Sequence, residues 1–396
     1  MSKSRWTRYL ATASLFGTSI GIGIAFAVSA PVASALTGRH HTGLAVRAPQ
    51  SLPAAGRMSR LADAGDSSLS GVSCPSASSC IAVGQEGSGS YEVGWNGVRW
   101  TRMSAPQTSN ANVQLSGVSC VTARWCMAVG SKDSIPIPFA LRWNGASWNS
   151  VTPQRQTGLW SDLTSVSCVA TTWCDAVGVT QTSDMRYQSL AEHWNGSTWH
   201  VVRVPPSLGT GGSLSGISCT TSSSCVAVGT NSRGGPLAGH WNGIEWRGVQ
   251  VKVHADDSYL TALSCWTIST CVAVGATTEA SGAYSEVWNG KVFAPMPAIP
   301  SPLSFSMNLE GIACTPSARC IAVGYGAWGP HGPNNDVAVS WNGTRWRFDN
   351  LTVPHTVTSL LSAIDCRSSS KCTAVGDPSL AIRWNGTAWR TEPVPN

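Results

Sequence analysis

Fourteen cysteines fall into seven pairs, each with the spacing C-x5-C. The pairs are Cys74 and Cys80, Cys120 and Cys126, Cys168 and Cys174, Cys219 and Cys225, Cys265 and Cys271, Cys314 and Cys320, and Cys366 and Cys372. Paired sulfurs of this kind can ligate a metal or close a disulfide. A structural zinc site needs CxxC-type knuckles with a second pair or histidines nearby, and no such spacing occurs. Two cysteines at the ends of a five-residue turn face each other across a hairpin, within reach of an S–S bond. The pattern therefore predicts seven structural disulfides, no metal and no cofactor. Each closes a short loop, which limits its entropic stabilisation to about 2 kcal/mol.

Other chemistry is sparse. The chain has no H-E-x-x-H, no glycine run with phosphate-loop spacing and no Gly-x-Ser-x-Gly nucleophile elbow. Before the first cysteine of each pair stand Ser73, Ser119, Ser167, Ser218, Ser264, Ala313 and Asp365, six of them small and uncharged. Glycoside hydrolysis uses two carboxylates at a defined separation. The segments leading into the cysteines supply only Glu310 and Asp365, so no catalytic residue is predicted there. His193 and His240 occupy one recurring slot and read as packing residues. Trp125, Trp173 and Trp266, set between paired cysteines, read as shields for the disulfides.

One segment, which reads as a long loop, stands apart from the repeating positions. Tyr325-Gly-Ala-Trp328-Gly-Pro-His331-Gly-Pro-Asn334-Asn335-Asp336 carries two aromatics beside amide and carboxylate groups. Exposed aromatics in such company stack on sugars or pack on a protein partner. Tyr325, Trp328, His331, Asn334 and Asp336 are the candidate ligand-binding residues. Ile135-Pro-Ile-Pro-Phe139, Trp160, Tyr187 and Tyr259 could extend the patch.

The elements that must position these residues follow from a repeat. Its full form is Leu69-Ser-Gly-Val-Ser-Cys74, then Cys80-Ile-Ala-Val-Gly84, then Trp95-Asn-Gly-Val-Arg-Trp100. Successive units are offset by 46, 48, 51, 46, 49 and 52 residues, beginning near 69, 115, 163, 214, 260, 309 and 361. Thirteen of the 19 tryptophans occupy the Trp-Asn-Gly slot or the aromatic slot that follows it. Each unit reads as four short strands, A to D, with Asn-Gly as a type I′ hairpin signal between C and D. Four strands in about 49 residues, seven times over, predict an all-β fold, a seven-bladed propeller of four antiparallel strands per blade with one disulfide in each. The A–B and C–D turns then share one rim. The variable B–C loops and D–A crossovers share the other, where binding residues belong. Each unit supplies its own four strands, which leaves the seam between blades one and seven to side-chain packing.

Gly-x-Ser-Trp148 and Gly-x-Thr-Trp199 resemble the tail of the Asp-box (BNR) repeat of sialidase-like propellers. The Ala-Val-Gly strand followed by that hairpin is similar to propellers of the photosystem II assembly factor type and, more loosely, to kelch blades. The whole unit, over residues 69 to 390, resembles repeats of secreted actinobacterial proteins. Resemblance to sialidases implies an arginine cluster and a tyrosine nucleophile; strand A supplies no arginine, and Trp stands where the box has Asp.

The first 35 residues read as a secretory signal peptide. Lys3, Arg5 and Arg8 precede an apolar stretch to about Ala30, and Ala33-Ser34-Ala35 places small residues at a cleavage site. An uncleaved membrane anchor is the alternative. Residues 36 to 68 read as a linker and 69 to 396 as the propeller. Seven of the 26 basic residues fall within residues 1 to 60, where there is no acid; the remainder holds 19 basic against 20 acidic, a net charge of −1. That excludes nucleic acid, which needs concentrated positive charge. The expected protein is a secreted monomer, free or retained at the cell envelope. It is a non-catalytic module that binds an extracellular glycan or protein on its variable rim. A carbohydrate-active hydrolase or lyase with a loop-borne site, and a structural envelope protein, are the alternatives.

Overall fold

A computed structural model of the chain describes residues 67–395, except 107–111, 155–157, 159, 253–257, 278–281, 302–304, 329–333, 350 and 352–358. The signal-peptide and linker expectations for 1–66 lie outside the described residues. Seven antiparallel sheets follow one another along the chain, each with strand order A-B-C-D and each built from one repeat. In blade one these strands are Ser67–Ser76, Ser79–Glu86, Gly89–Trp95 and Trp100–Arg102. Among the described residues no strand is exchanged between the first and last blades.

The repeat residues explain the blade. Leu69, Leu115, Leu163, Leu214, Leu260, Leu309 and Leu361 are fully buried where strand A meets the neighbouring sheet. Between this leucine and the residue two places on, strand A slips one register against strand B. The slip brings a strand A carbonyl against the glycine of Ala-Val-Gly. A Cβ on Gly84 would stand 1.9 Å from the Ser68 oxygen, and all seven equivalent glycines are equally tight, at 1.9–2.0 Å. Only glycine fits a bulge this close. The outer edge is held by aromatic pairs. In every blade the Trp of Trp-Asn-Gly meets the strand D aromatic with ring centroids 5.4–6.1 Å apart. The strand D partner is at most 4% exposed.

The C–D connection differs from the expected type I′ turn. Trp95 pairs with Trp100, so four residues form the loop. Only the glycines have positive φ, at 89–101°; the asparagines do not. Asn96 instead turns its side chain inward, and its Oδ1 accepts the N–H groups of Val98 and Arg99, both at 3.0 Å. The same pair of bonds recurs in the other six blades. Asparagine is present for its side-chain acceptor, which stands in for a backbone turn carbonyl.

All fourteen cysteines are paired, and each pair is the one its spacing predicts. Cys74 is bonded to Cys80, Cys120 to Cys126, Cys168 to Cys174, Cys219 to Cys225, Cys265 to Cys271, Cys314 to Cys320 and Cys366 to Cys372. Their Cα atoms lie 3.9–4.0 Å apart across the A–B hairpin. In six of the seven blades the two members of a pair differ in setting, whereas in blade one Cys74 and Cys80 are both buried. Cys126, Cys174 and Cys271 on strand B are wholly buried and Cys372 is 3% exposed, whereas Cys120, Cys168, Cys265 and Cys366 on strand A are only partly buried. Strand B lies inside the sheet between A and C, and strand A borders the channel.

The serines that precede the strand A cysteines join one blade to the next. Ser73 Oγ accepts the N–H of Cys120, Ser119 that of Cys168, Ser167 that of Cys219, Ser218 that of Cys265 and Ser264 that of Cys314, all at 2.9–3.1 Å. Ala313 breaks the series. At the seam, Asp365 Oδ2 accepts the N–H of Cys74 at 2.6 Å. Arg383 donates to the Ala77 carbonyl at 3.0 Å and lies 4.3 Å over the Trp95 ring. The ring closes through these side chains and one main-chain bond, from the Ser379 N–H to the Ser67 carbonyl at 3.0 Å, and not through a shared strand.

Candidate functional site at the channel mouth

Strand A lines the central channel, and three successive positions per blade face it. The last of the three is apolar in every blade: Val72, Val118, Val166, Ile217, Leu263, Ile312 and Ile364. The middle one must be small, because adjacent inner strands nearly touch: a Cβ on Gly71 would stand 3.0 Å from Gly117 Cα, and one on Gly311 2.9 Å from Ala363 Cα. The first is Ser70, Ser116, Thr164, Ser215, Thr261, Glu310 and Ser362 in turn, which makes a ring of six hydroxyls and one carboxylate. The channel encloses about 230 Å³ along this ring. The ring's lining contains no arginine or lysine among the described residues.

Glu310 also borders a wider cavity of about 360 Å³ at the variable rim, shared with Ser70, Ser215, Thr261, Ser362 and Tyr325. Burial in this hollow raises its carboxyl to about 7. No described side chain hydrogen-bonds or ion-pairs with that carboxylate. Two phenols stand near it. Tyr325, on strand B of blade six (Cys320–Trp328), pairs across the hairpin with Asn308 of strand A. Tyr259, from blade five, donates its hydroxyl to Asn308 Oδ1 at 3.4 Å. Burial raises both phenols, and the Glu310 charge raises each further. Residues from two blades thus converge beside the one charged member of the ring.

The structure places the expected ligand-binding residues as follows. The segment that reads as a loop is largely strand: strand B runs to Trp328 and strand C spans Asn334–Trp341, with Tyr325 opposite Asp336 and Ala327 opposite Asn334. Pleating therefore sets which residues share a face. Tyr325 reaches the mouth, and Asp336 accepts a hydrogen bond from Ser359 Oγ at 2.6 Å. The backbones of Trp328 and Asn334 sit at the strand ends, and His331 lies outside the described residues. Of the possible extensions, Tyr259 joins Tyr325 at the mouth. Trp160 and Tyr187 meet edge to face at 5.8 Å on the same rim of blade three, near the exposed Met185 and Ile135. Phe139 is buried. Asn308 had no mark in the sequence except its place two residues before Glu310.

The histidines pack. His193 Nδ1 lies 3.0 Å from Asp175 Oδ1, and its ring is 4.0 Å from that of Trp173. The His240 ring lies 5.7 Å from that of Trp288. Asp175 also brings an oxygen within 4.8 Å of Cys219 and Cys225. Both sulfurs are joined in the blade-four disulfide, so this cluster offers a metal one carboxylate and no thiolate.

No family model matches the sequence, and no curated protein matches it. Solved structures do. YCF48 bound to D1 peptide superposes with a TM-score of 0.56 at 13% identity, over 81% of this chain and 92% of that one. YCF48 from Cyanidioschyzon merolae gives 0.55 at 15% identity, over 81% and 96%. The GH74 xyloglucanase of Xanthomonas campestris gives 0.56 at 13% identity, over 83% of this chain and 55% of that one. At these identities the likeness is one of fold: the chain is a seven-bladed propeller of the same architecture as YCF48 and the xyloglucanase propeller.

Proposed function

We propose that the chain is an exported binding propeller whose ligand, an extracellular glycan or protein, seats on the rim formed by the B–C and D–A connections, centred on the channel mouth. One observation carries this reading. At the mouth, and at no other channel position described, the sevenfold hydroxyl ring is interrupted by a charge, with two tyrosines that the blade repeat does not require. The seven disulfides fit an extracellular protein. Among the described residues no helix is long and apolar enough to cross a membrane. Export with cleavage after Ala35 would leave Leu36 as the first residue, which N-terminal sequencing of the secreted protein tests.

The YCF48 structure holds a D1 peptide and the GH74 relative is a xyloglucanase, so both ligand classes belong in the test. A glycan array and an array of extracellular proteins are probed with the full chain and with Tyr325→Ala, Glu310→Gln and Trp160→Ala variants. Binding that weakens in at least one rim variant, with melting unchanged, is the expected result. A ligand held equally by all three would move the site off this rim.

A further inference from the structure

The character of the mouth narrows the ligand, on the premise that this rim is the binding face. Glu310 is a half-buried carboxylate facing the channel, with no positive group in the lining to answer it. A partly desolvated carboxylate is stabilised by a cation that also donates hydrogen bonds. The neighbouring channel positions, Thr261 and Ser362, offer oxygens. Thr261 Oγ1 donates its proton to main-chain carbonyls, to Val274 at 3.0 Å and Leu309 at 2.5 Å. Its lone pairs are therefore what it presents to the channel. An ammonium has three donors and no acceptor, which matches one carboxylate flanked by two hydroxyl oxygens. The phenol rings of Tyr259 and Tyr325 at the entrance suit a cation on a slender apolar stem. A guanidinium is a flat fork made for two parallel bonds to one carboxylate, and it leaves the flanking hydroxyls unused.

We infer that the mouth receives a lysine side chain of a protein partner, its ammonium paired with Glu310 and its stem between Tyr259 and Tyr325. A protein source is favoured over an amino sugar by the rest of the rim. Met185 and Ile135 are 66% and 64% exposed beside the Trp160–Tyr187 pair, and methionine and aromatic side chains are the types enriched at protein interfaces.

The test uses the full chain and four small probes: Nα-acetyl-lysine methylamide, its Nε-acetylated form, the corresponding arginine amide and glucosamine, with binding followed by ligand-observed NMR. The lysine amide should bind, and Nε-acetylation or Glu310→Gln should weaken it at least about tenfold. Thermal melting of Glu310→Gln should be unchanged or higher, since Gln keeps the shape and removes a half-buried charge. Equal binding of the acetylated probe overturns the inference without recourse to any variant. Stronger binding of glucosamine or of the arginine amide overturns the lysine assignment. The rim reading stands apart: a ligand from the arrays that is lost in Trp160→Ala or Tyr325→Ala but held by Glu310→Gln keeps that reading and refutes this one.

Discussion

The N–H of Cys74 in the first blade donates to Oδ2 of Asp365 in the last, at 2.6 Å. Asp365 stands in the slot where five other blades carry a serine that grips the next cysteine. Burial raises its carboxyl, and the N–H groups of Cys74 and Cys366 oppose that shift. Asp365→Ala leaves the Cys74 N–H without its carboxylate acceptor and should cost about 2 kcal/mol. Asp365→Ser should recover part of this, and Ser73→Ala should cost about 1 kcal/mol. Denaturant melts of the three variants decide the matter. Equal losses for Asp365→Ala and Ser73→Ala would show that the seam is no different from any other joint.

Buried carboxyls make the fold less stable at neutral than at mildly acidic pH. Glu92, Glu192 and Glu286 are at most 2% exposed, and burial raises each to about 7. In the unfolded chain they titrate near 4.5. Between these values the native state holds more protons than the unfolded one, so stability falls as pH rises. It is greatest below about 4.5 as far as these groups go, and it levels off above about 7. Calorimetry should show a melting temperature several degrees higher at about pH 5 than at about pH 8. Glu286→Gln and Glu192→Gln together should flatten the dependence. A melting temperature that rises over this range would refute the assignment.

Seven disulfides of identical loop length differ in their surroundings. Asp175 Oδ2 lies 3.4 Å from Cys225 Sγ and 3.9 Å from Cys219 Sγ, and Asp175 is 4% exposed. Reduction by a thiol brings a thiolate in and leaves a thiolate behind, and a carboxylate at this distance opposes both charges. Under limiting dithiothreitol, peptide mapping should find the bond between Cys219 and Cys225 opened last. Asp175→Asn should bring its rate toward those of the other six. An unchanged order in that variant would mean that access alone controls reduction.

The architecture was readable because its causes are local. Cysteine spacing, the Ala-Val-Gly glycine and the aromatic slots each recur, and seven copies of a weak signal make a strong one. The Asn-Gly turn was misjudged because dipeptide statistics cannot tell whether asparagine contributes a positive φ or a side-chain acceptor; Asn96 does the latter. The Tyr325–Asp336 segment read as a loop since its glycines and prolines hid the pleat that pairs those two residues. The mouth was only half visible. Tyr325, Tyr259 and Glu310 each stood out as departures from the repeat, but their convergence depends on which blades adjoin and which way each strand faces. Asn308, which Tyr259 reaches across the blade boundary, has no signature in the sequence at all.

The aromatic pairs at the outer edge have an optical consequence. Six blades hold two indoles with interplanar angles of 43–54° and nearly equal separations. Each is a chiral dimer of transition dipoles, and strand geometry gives all six one handedness. Their exciton couplets add in phase, so circular dichroism should carry a tryptophan signal superimposed on the weak spectrum of a β protein. Because the dimers are spread around the ring, loss of that signal on heating would count blades as they come apart.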